Sequence, residues 1–305
     1  MNIHTKDDTT LFYHKTVMVN EVLRYLDPQP GKLYCDVTFG SGGHTKAILD
    51  SQPDCQVVAI DWDATSIETY APALEEKYQE RLRVLWGNFA NLYRLLCKAK
   101  IGKVDGILAD FGTSQMHIKE RAGFSFYRDS ELDMRMSPAY QQITAEHVIN
   151  KSSENKLCEI FWQLGQESHA KKIVAAIIEA RKKKPIKTTR ELALIVEKTI
   201  GTKHGAKIHP ATKVFQALRM YVNHELNNIT GFLAGALQVL KPGGLLLCIS
   251  FHSLEDRMVK QFFKEKADEG KLEIVTKHVV VPTAEEIAQN PSSRSAKLRV
   301  ARFVG

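Results

Sequence analysis

Residues 33–63, LYCDVTFGSGGHTKAILDSQPDCQVVAIDWD, determine the fold that this sequence predicts. A short apolar run carrying Asp36 leads into a glycine-rich turn, and a helix-like segment begins near His44. A second apolar run ends at Asp61. Strand, glycine turn, helix and a second strand with a terminal acid form the first half of a nucleotide-binding βαβ unit. The sequence therefore predicts an α/β domain that binds a nucleotide at this turn.

The spacing of the glycine turn narrows the class of nucleotide. A dinucleotide fingerprint needs Gly or Ala five residues after Gly40, where the chain has Thr45. A phosphate-binding P-loop needs Ser or Thr at the position of Ala47. The turn resembles instead the cofactor loop of class I S-adenosylmethionine (SAM) methyltransferases, in which the later acid, here Asp61, holds the ribose. An ordinary tight strand–helix turn is the alternative reading.

Composition predicts a cytoplasmic globular protein. The chain has 305 residues, of which 25% are charged, and no run approaches the ~18 apolar residues of a membrane helix. The polar N-terminus lacks the apolar core of a signal peptide. Five scattered cysteines without a CxxC pair indicate reduced thiols. His204 and His209 have no cysteine nearby, so no metal site is predicted.

Positive charge is concentrated in one segment. The whole chain has a net charge of +7. Residues 151–220 contain 15 Lys and Arg against six Asp and Glu, whereas the remainder contains 27 against 29. The densest patch is residues 181–184, Arg-Lys-Lys-Lys. A solvated helix end explains that patch alone, but an excess spread over 70 residues indicates a nucleic-acid partner.

Two further strands extend the predicted nucleotide-binding sheet. Residues 83–86 read as a third strand that leads to Phe89, which either packs on the adenine or belongs to the core. Residues 104–110 read as a fourth strand that ends at Asp110. Open α/β sheets bind ligands at the carboxyl ends of their strands, so Asp110 is expected at the site.

The alternation of strands and helices stops near residue 115. Residues 144–200 are mostly helical by pattern, and the α/β pattern returns with one long helix at 212–239. A strand at 245–250 follows, and residues 297–300 read as an edge strand of a final hairpin. The predicted organisation is a flexible N-terminus (1–13), a methyltransferase domain (14–117 and 212–305) and an inserted, mostly helical, basic substrate-recognition domain (118–211).

Seven motifs of the chain are distinctive: DVTFGSGGHT (36–45), AIDWD (59–63), GFSF (123–126), LDMRM (132–136), HPATKVFQALRMYVN (209–223), PGG…ISFHSLEDR (242–257) and SRSAKLR (293–299). Over residues 14–300 they resemble the MraW family, the ribosomal RNA small subunit methyltransferases H. The resemblance implies a Rossmann-like class I SAM-dependent fold and transfer of a methyl group to the N4 amine of a cytidine in the decoding centre (P site) of 16S ribosomal RNA.

The resemblance also implies the cofactor contacts. His117 stands where the family usually has glutamine, although an imidazole can still donate a hydrogen bond. The chain reads ERAGFSF where the family more often has ERGFSF, so the neighbouring loop is expected to differ. The implied SAM-binding residues are Gly42, Gly43, His44, Asp61, Phe89, Asp110 and His117.

The lone pair of a cytosine amine is delocalised into the ring, so the amine is a poor nucleophile. An acceptor for the amine N–H localises this lone pair and later receives the proton. Asp110 is the candidate acceptor, with SAM binding alone as its other possible role. A group of polar residues suggests a hydrolase triad: Ser250, His252, Ser253, Glu255 and Asp256. Residues this close in sequence rarely form one, and the chain has no nucleophile elbow, so His252 and Asp256 are assigned to the active-site rim. The candidate substrate residues are Phe111, Phe124 and Phe126 for base stacking, His209 and Arg219 for phosphate contact or for a capping or hinge role, and His252 and Asp256 at the rim.

Three function classes remain open at this stage. An RNA base methyltransferase acting on 16S ribosomal RNA within the small subunit is favoured. A non-catalytic SAM-binding ribosome assembly factor also explains the basic insert, whereas a small-molecule methyltransferase does not. Only the first class requires Asp110 and a base pocket. The sequence leaves the oligomeric state, monomer or homodimer, open.

Overall fold

The computed structural model of this protein describes residues 15–112, 121–201 and 209–305. These residues form two compact units. One, the sheet unit, contains residues 15–112 and 227–305. The other, the helical unit, contains residues 121–201 and 209–226. The helical unit continues past residue 211, the predicted end of the insert, because Val214, Leu218 and Val222 belong to its apolar core.

In the described part of the chain, seven strands form one sheet in the order β3-β2-β1-β4-β5-β7-β6. Strands β1 to β5 pair in parallel, and β7 runs antiparallel between β5 and β6. This mixed sheet confirms the predicted Rossmann-like α/β fold. The strands are β1 (Leu33–Asp36), β2 (Gln56–Asp61), β3 (Leu82–Trp86), β4 (Val104–Asp110), β5 (Leu240–Ser250), β6 (Leu272–Ile274) and β7 (Lys297–Phe303).

The α-helices of the described ranges connect these strands and build the helical unit. None of them is both long enough and apolar enough to cross a membrane. In chain order they are α1 (Val19–Leu26), α2 (Gly43–Ser51), α3 (Ala64–Tyr78), α4 (Leu92–Lys98), α5 (Ala145–Lys151), α6 (Glu154–Gln163), α7 (Ala170–Lys183), α8 (Thr189–Ile200), α9 (Thr212–Val222), α10 (Glu225–Val239), α11 (Ser253–Asp268) and α12 (Ala284–Gln289).

The sheet unit is held together by strands that are buried almost throughout. Strands β1, β2 and β4 are near-continuous apolar runs, as expected for parallel strands covered on both faces. Ile48 and Leu49 of α2 and Leu74 of α3 pack into the same core as these strands. The core thereby fixes the start of α2, and with it the glycine turn, against the end of the sheet.

Polar caps mark the starts of three helices of the helical unit, α5, α6 and α8. Thr144 and Ser153 accept hydrogen bonds from main-chain N–H groups at the starts of α5 and α6. Thr188 and Glu191 form a reciprocal capping box at the start of α8. Buried apolar residues from all five helices, α5 to α9, form one core. The unit therefore has a core of its own, separate from that of the sheet.

The single long helix predicted at 212–239 is wrong, because the chain breaks into α9 and α10 after Asn223. The Asn223 side chain is buried; it donates to the carbonyl of Met134 at 2.8 Å and accepts from the Met136 N–H at 2.8 Å. His224 then adopts a left-handed conformation with φ of 51°. Apolar periodicity continues across the break, so the pattern alone does not reveal it.

The predicted edge strand at 297–300 is also wrong. Strand β7 lies between β5 and β6, and the edge position belongs to the three-residue strand β6. Leu298 and Val300 of β7 are completely buried, which an internal strand explains. The short strand β6 is too brief to be recognised from its pattern.

Candidate active site

Three aspartates end three neighbouring parallel strands. Asp36 is the last residue of β1, Asp61 of β2 and Asp110 of β4, and these strands lie side by side in the order β2-β1-β4. Between β1 and β4 the strand order reverses. In open α/β sheets such a switch point, at the carboxyl ends of the strands, is where ligands bind. The three acids therefore mark the candidate site.

Asp61 joins the end of β2 to the glycine turn. Its Oδ2 accepts a hydrogen bond from the N–H of Gly40 at 2.7 Å, and its Oδ1 accepts one from the N–H of Asp63 at 2.9 Å. These charge-assisted bonds fix the turn beside the strand end. The carboxylate predicted to hold a ribose therefore also shapes the loop, which the sequence pattern does not reveal.

Two glycines of the turn are required by the protein's own side chains. A Cβ on Gly42 would lie 2.3 Å from Cδ1 of Leu74, and one on Gly43 would lie 1.8 Å from Oγ1 of Thr16. Gly42 also has a left-handed φ of +79°. By contrast, a Cβ on Gly40 would meet only a carbonyl oxygen at 3.9 Å within the described residues. Among the glycines of this turn, Gly40 is therefore the one at which the described residues leave free space around the position of a Cβ.

Asp36 is completely buried at the start of α2. It accepts hydrogen bonds from the N–H of Thr38 at 3.1 Å and from Oγ1 of Thr45 at 2.7 Å. Burial raises the pKa of Asp36, and the hydrogen bonds from Thr45 and Thr38 partly offset that rise. Asp36 thus places a carboxyl group next to the amino end of α2.

Asp110 has a buried oxygen atom that the other described residues leave without a hydrogen bond. That atom is Oδ1, whereas the Asp110 main-chain N–H donates to Oγ1 of Thr38 at 2.8 Å. Burial raises the pKa of Asp110 well above its usual value, and the nearby carboxyl groups of Asp36 and Glu255 raise it further. Asp110 therefore holds a proton much more tightly than an ordinary aspartate.

His44 faces Asp110 with its unprotonated nitrogen. Its Nε2 lies 2.9 Å from the carbonyl oxygen of Val17, which only accepts, so Nε2 carries the hydrogen. Its Nδ1 lies 3.8 Å from Oδ2 of Asp110. Burial lowers the pKa of His44 to about 4. At neutral pH the imidazole is therefore uncharged and gives Asp110 no compensating positive charge.

Phe89 and Phe111 belong to one aromatic cluster of the sheet unit. Their ring centroids are 6.0 Å apart, and each lies 5.8 Å from the ring of Phe232 on α10. Phe111 is only 2% exposed, whereas Phe89 is half-buried. Of these rings, Phe89 has accessible surface for a ligand and Phe111 supports it from within the core.

Two of the predicted substrate residues meet in the helical unit. The His209 imidazole stacks on Phe126 with ring centroids 4.3 Å apart, and its Nε2 lies 2.6 Å from Oε1 of Glu197. Its Nδ1 accepts from the N–H of Ala211, just before α9. Phe124 and Phe126 are partly buried against the helical core. These contacts tie His209 to α8 and to the start of α9.

Arg219 and Asp256, both predicted substrate residues, each form a two-point ion pair within its own unit. Arg219 donates to both carboxylate oxygens of Glu225 at 2.8 and 2.9 Å. Asp256 accepts from two nitrogens of Arg299 at 2.7 and 3.2 Å. Such pairs hold both partners in a fixed geometry. A substrate contact at either residue would have to accommodate that pair.

His252 caps helix α11. Its Nδ1 accepts from the main-chain N–H of Glu255, while the Glu255 carboxylate accepts from the N–H of His252 at 3.2 Å and of Phe251 at 2.8 Å. This reciprocal arrangement is a capping box with histidine in place of the usual Ser or Thr. It also explains why Glu255 is buried near Asp110.

The basic patch at residues 181–184 is not uniform. The Arg181 guanidinium donates to two main-chain carbonyls at the carboxyl end of α5, at 2.6 and 2.8 Å. Lys182 and Lys184 form exposed ion pairs with glutamates, and Lys183 is exposed. Exposed pairs of this kind contribute little stability and exchange readily. Three lysines are therefore available to a polyanion, whereas Arg181 is structural. His117 lies outside the described residues.

A model of the MraW methylase family matches residues 11–304. The chain belongs to this family. "Ribosomal RNA small subunit methyltransferase H" of Coprothermobacter proteolyticus is 46% identical over 96% of both chains. The protein of the same name from Thermomicrobium roseum is 43% identical over 95% of this chain and 94% of its own. Among solved structures, NSun6 from Pyrococcus horikoshii gives a TM-score of 0.49 at 12% identity, covering 100% of this chain and 57% of that chain.

Membership of the MraW family confirms the predicted resemblance and, with it, SAM as the cofactor. The residues present fit this cofactor. Within the described ranges, the open space beside Gly40, the carboxylate of Asp61 and the unpartnered oxygen of Asp110 all lie at the strand ends. A ligand bearing hydroxyl groups and a positive charge complements such acceptors.

Sequence reasoning assigned no site role to Asp36 or Glu255, the acids that act on Asp110. One signal was present: three apolar strands each end in aspartate, and parallel strands bring such ends to one edge of the sheet. No comparable signal exists for Glu255, which reaches the site through the fold of the α11 cap.

Proposed function

We propose that this protein transfers a methyl group from SAM to the N4 amine of a cytidine in the decoding centre of 16S ribosomal RNA, within the small ribosomal subunit and in the cytoplasm. The observation that carries the proposal is the buried carboxyl group of Asp110 at the switch point of the sheet, whose Oδ1 receives no hydrogen bond from the other described residues. The names of the relatives, both ribosomal RNA small subunit methyltransferases, support the class of substrate.

The chemistry explains why such an acceptor is needed. SAM supplies a methyl group already activated on a sulfonium, so no side-chain nucleophile is required. The protein must hold amine and methyl in line, roughly 3–3.5 Å apart. It must also accept the amine proton, since positive charge builds on nitrogen during transfer. The raised proton affinity of Asp110 suits this step.

The remaining assignments are made by position. Gly42, Gly43, His44, Asp61 and Phe89 are proposed to surround the cofactor. Their places at the strand ends and in the turn between β1 and α2 support this. His117 is kept as a cofactor contact on the resemblance alone.

Phe89, which is half-buried, is proposed to pack on the adenine, whereas Phe111, which is 2% exposed, remains the proposed stacking surface for the base. Enzymes that modify a base must bring it out of its stack and into contact with such surfaces. The substrate assignments of Phe124, Phe126, His209, Arg219, His252 and Asp256 remain proposals, with the structural contacts described above.

The helical unit is proposed as the RNA-facing surface. Its segment of the chain carries the excess of positive charge, and Lys182, Lys183 and Lys184 are exposed on it. Phosphate neutralisation by such side chains supplies sequence-independent affinity. The base pocket and Asp110 then supply the choice of atom.

The second candidate is a SAM-binding assembly factor that contacts ribosomal RNA without catalysis. The basic patch favours it as much as it favours an enzyme. The two candidates differ in what they require of Asp110: an assembly factor needs it at most as a cofactor contact, whereas an enzyme also needs it as a proton acceptor.

The proposal is tested with purified protein, small subunits lacking methylation, and SAM labelled in its methyl group. After digestion to nucleosides, mass spectrometry separates N4-methylcytidine from its C5 and ribose-methylated isomers. We expect label in N4-methylcytidine from one position of 16S ribosomal RNA. Bound SAM without transfer would favour the assembly factor, and label in another nucleoside would replace the proposed substrate atom.

A further inference from the structure

Asp110 lies in a cluster of titratable groups contributed by several elements of the sheet unit. Asp36 comes from β1, His44 from α2 and Glu255 from α11. Asp36 and Glu255 are 0% and 1% exposed. Among the described residues, the charged groups that act on Asp110 are both acids, and no lysine or arginine pairs with it. An ionised Asp110 therefore has no positive partner here.

The geometry accommodates a proton on Asp110. Oδ2 lies 3.8 Å from Nδ1 of His44, whose lone pair faces it because Nε2 donates to Val17. A protonated carboxyl and a neutral imidazole face each other without net charge. The other oxygen, Oδ1, is buried and receives no hydrogen bond from the residues that the structure describes. Desolvation strongly disfavours leaving such an atom charged.

The two forms of the cofactor differ in one charge. SAM carries a sulfonium, whereas the product S-adenosylhomocysteine (SAH) carries a neutral thioether, and their amino acid groups are identical. A site with a protonated Asp110 matches the neutral product. The same site with an ionised Asp110 matches the sulfonium, since opposite charges in a low-dielectric interior attract strongly.

We propose that Asp110 is protonated in the free protein, releases that proton to solvent when SAM binds, and takes up the proton that the target amine loses during methyl transfer. Asp36, Glu255 and His44 act as positioning residues that keep Asp110 neutral without a cation. The proposal deepens the proposed function and rests on it for the third step only.

The charges balance through the cycle. The bond from sulfur to the methyl carbon breaks and its electron pair stays on sulfur, while a bond forms between that carbon and N4. One N4–H bond then breaks, and its proton goes to the Asp110 carboxylate. A sulfonium and a carboxylate thereby become a thioether and a neutral carboxyl. SAH can leave a site that already has the charge of the free protein.

Isothermal titration calorimetry in two buffers of different ionisation enthalpy counts the protons exchanged on binding. With the wild-type protein, we expect release of up to about one proton with SAM and none with SAH. As the pH rises from about 6 to about 9, SAM affinity should increase by up to about tenfold per unit until Asp110 is ionised, and then level off. SAH affinity should not rise over the same range, because the neutral thioether gains nothing from an ionised Asp110.

Three variants assign the released proton. Asp110→Asn should abolish proton release and flatten the pH dependence of SAM affinity. Glu255→Gln, which keeps acceptors for the α11 cap, should shift the dependence to lower pH. Asp105→Asn is the matched control: it lies on the same strand but pairs with Lys32 and Lys241, so release should persist. Thermal melting confirms that each variant is folded.

Equal proton exchange with SAM and SAH, or full release by Asp110→Asn, would overturn the inference. Its failure is distinguishable from that of the proposed function. Methylation of cytidine without proton release on SAM binding would remove the inference and leave the function. Proton release without transfer to RNA would leave the first two steps standing and remove the function.

Discussion

Strand β4 has an aspartate near each end, and the two have opposite surroundings. Near the amino end, Asp105 accepts from Lys32 at 3.1 Å, Lys241 at 2.7 Å and the N–H of Leu33 at 3.0 Å. Although burial opposes it, these bonds, that of Lys241 above all, hold the pKa of Asp105 below its usual value. At the carboxyl end, burial and neighbouring acids raise the pKa of Asp110.

The contrast shows what each end of the strand does. Asp105 joins β4 to the start of β1 and to β5 through satisfied hydrogen bonds, so it stabilises the fold. Asp110 is left with an unsatisfied oxygen, which costs stability and is retained where a ligand binds. One residue type on one buried strand thus takes a structural or a functional role according to its neighbours.

The largest expected difference between the two aspartates is in methyl transfer. Asp110→Asn should lower single-turnover methylation of competent RNA by roughly 100-fold or more, because the amide neither takes the proton nor offsets the developing charge. Some SAM binding should remain. Asp105→Asn should keep near-normal turnover. Weak SAM binding with normal turnover at saturation would make Asp110 a cofactor residue instead.

The next-largest effect tests whether Asp61, like Asp110, acts in the site at the carboxyl ends of the strands. Asp61→Ala should weaken SAM binding more than tenfold, since removing a charge-assisted hydrogen bond costs roughly 1.5–3 kcal/mol. The turn should also loosen, because Gly40 and Asp63 no longer have their acceptor. Calorimetry measures the affinity, with Asp105→Asn as the control. Unchanged affinity would rule out Asp61 as a cofactor ligand.

Stability should respond with opposite signs at the two ends of β4. Asp105→Asn should lower the free energy of unfolding at neutral pH by about 1–3 kcal/mol. Asp110→Asn should raise it, because stability from a group with a raised folded pKa is lost as pH rises through that pKa. Denaturant titrations at acidic and neutral pH measure both; the Asp110 gain should vanish below the unfolded pKa of about 4. A loss of stability on Asp110→Asn at neutral pH would contradict the contrast.

The smallest expected effect is on RNA affinity. It concerns lysines outside β4 and should not change the behaviour of Asp105 or Asp110. Replacing Lys182, Lys183 and Lys184 with glutamine should reduce the slope of log RNA affinity against log salt by roughly 0.7–0.9 for each phosphate that the lysines no longer neutralise. We expect about two such phosphates, since neighbouring helix positions do not share a face. SAM affinity should not change. A wild-type slope would move the RNA surface to the exposed part of the 293–299 motif.

The sheet and its site acids could be predicted because their signals are local. Strands β1, β2 and β4 are apolar runs that each end in an aspartate, and the glycine turn begins at Gly40, four residues after Asp36. At the C-terminal end of the chain, the order of the strands in the sheet could not be predicted from the sequence. Whether β7 pairs on one side or both depends on β6, a strand of only three residues.

Other features depend on contacts between residues distant in sequence. The break after Asn223 results from hydrogen bonds to residues 134 and 136. The spacing of apolar residues along the helix does not predict these bonds. The structural role of Arg181 likewise depends on carbonyls of α5 that are about 30 positions away. Burial raises the pKa of Asp110, and it is raised further by Asp36 and by Glu255, which folding brings from the far end of the chain.

The most direct test of the account is the state of 16S ribosomal RNA in cells that lack this protein. The cells are complemented with wild type, Asp105→Asn or Asp110→Asn at equal protein levels, and modified nucleosides are mapped by mass spectrometry. The account predicts N4-methylcytidine at one decoding-centre position with wild type and Asp105→Asn, and its loss with Asp110→Asn. The account would be contradicted if cells with and without the protein had the same modified nucleosides in 16S ribosomal RNA. It would also be contradicted if Asp110→Asn fully restored N4-methylcytidine.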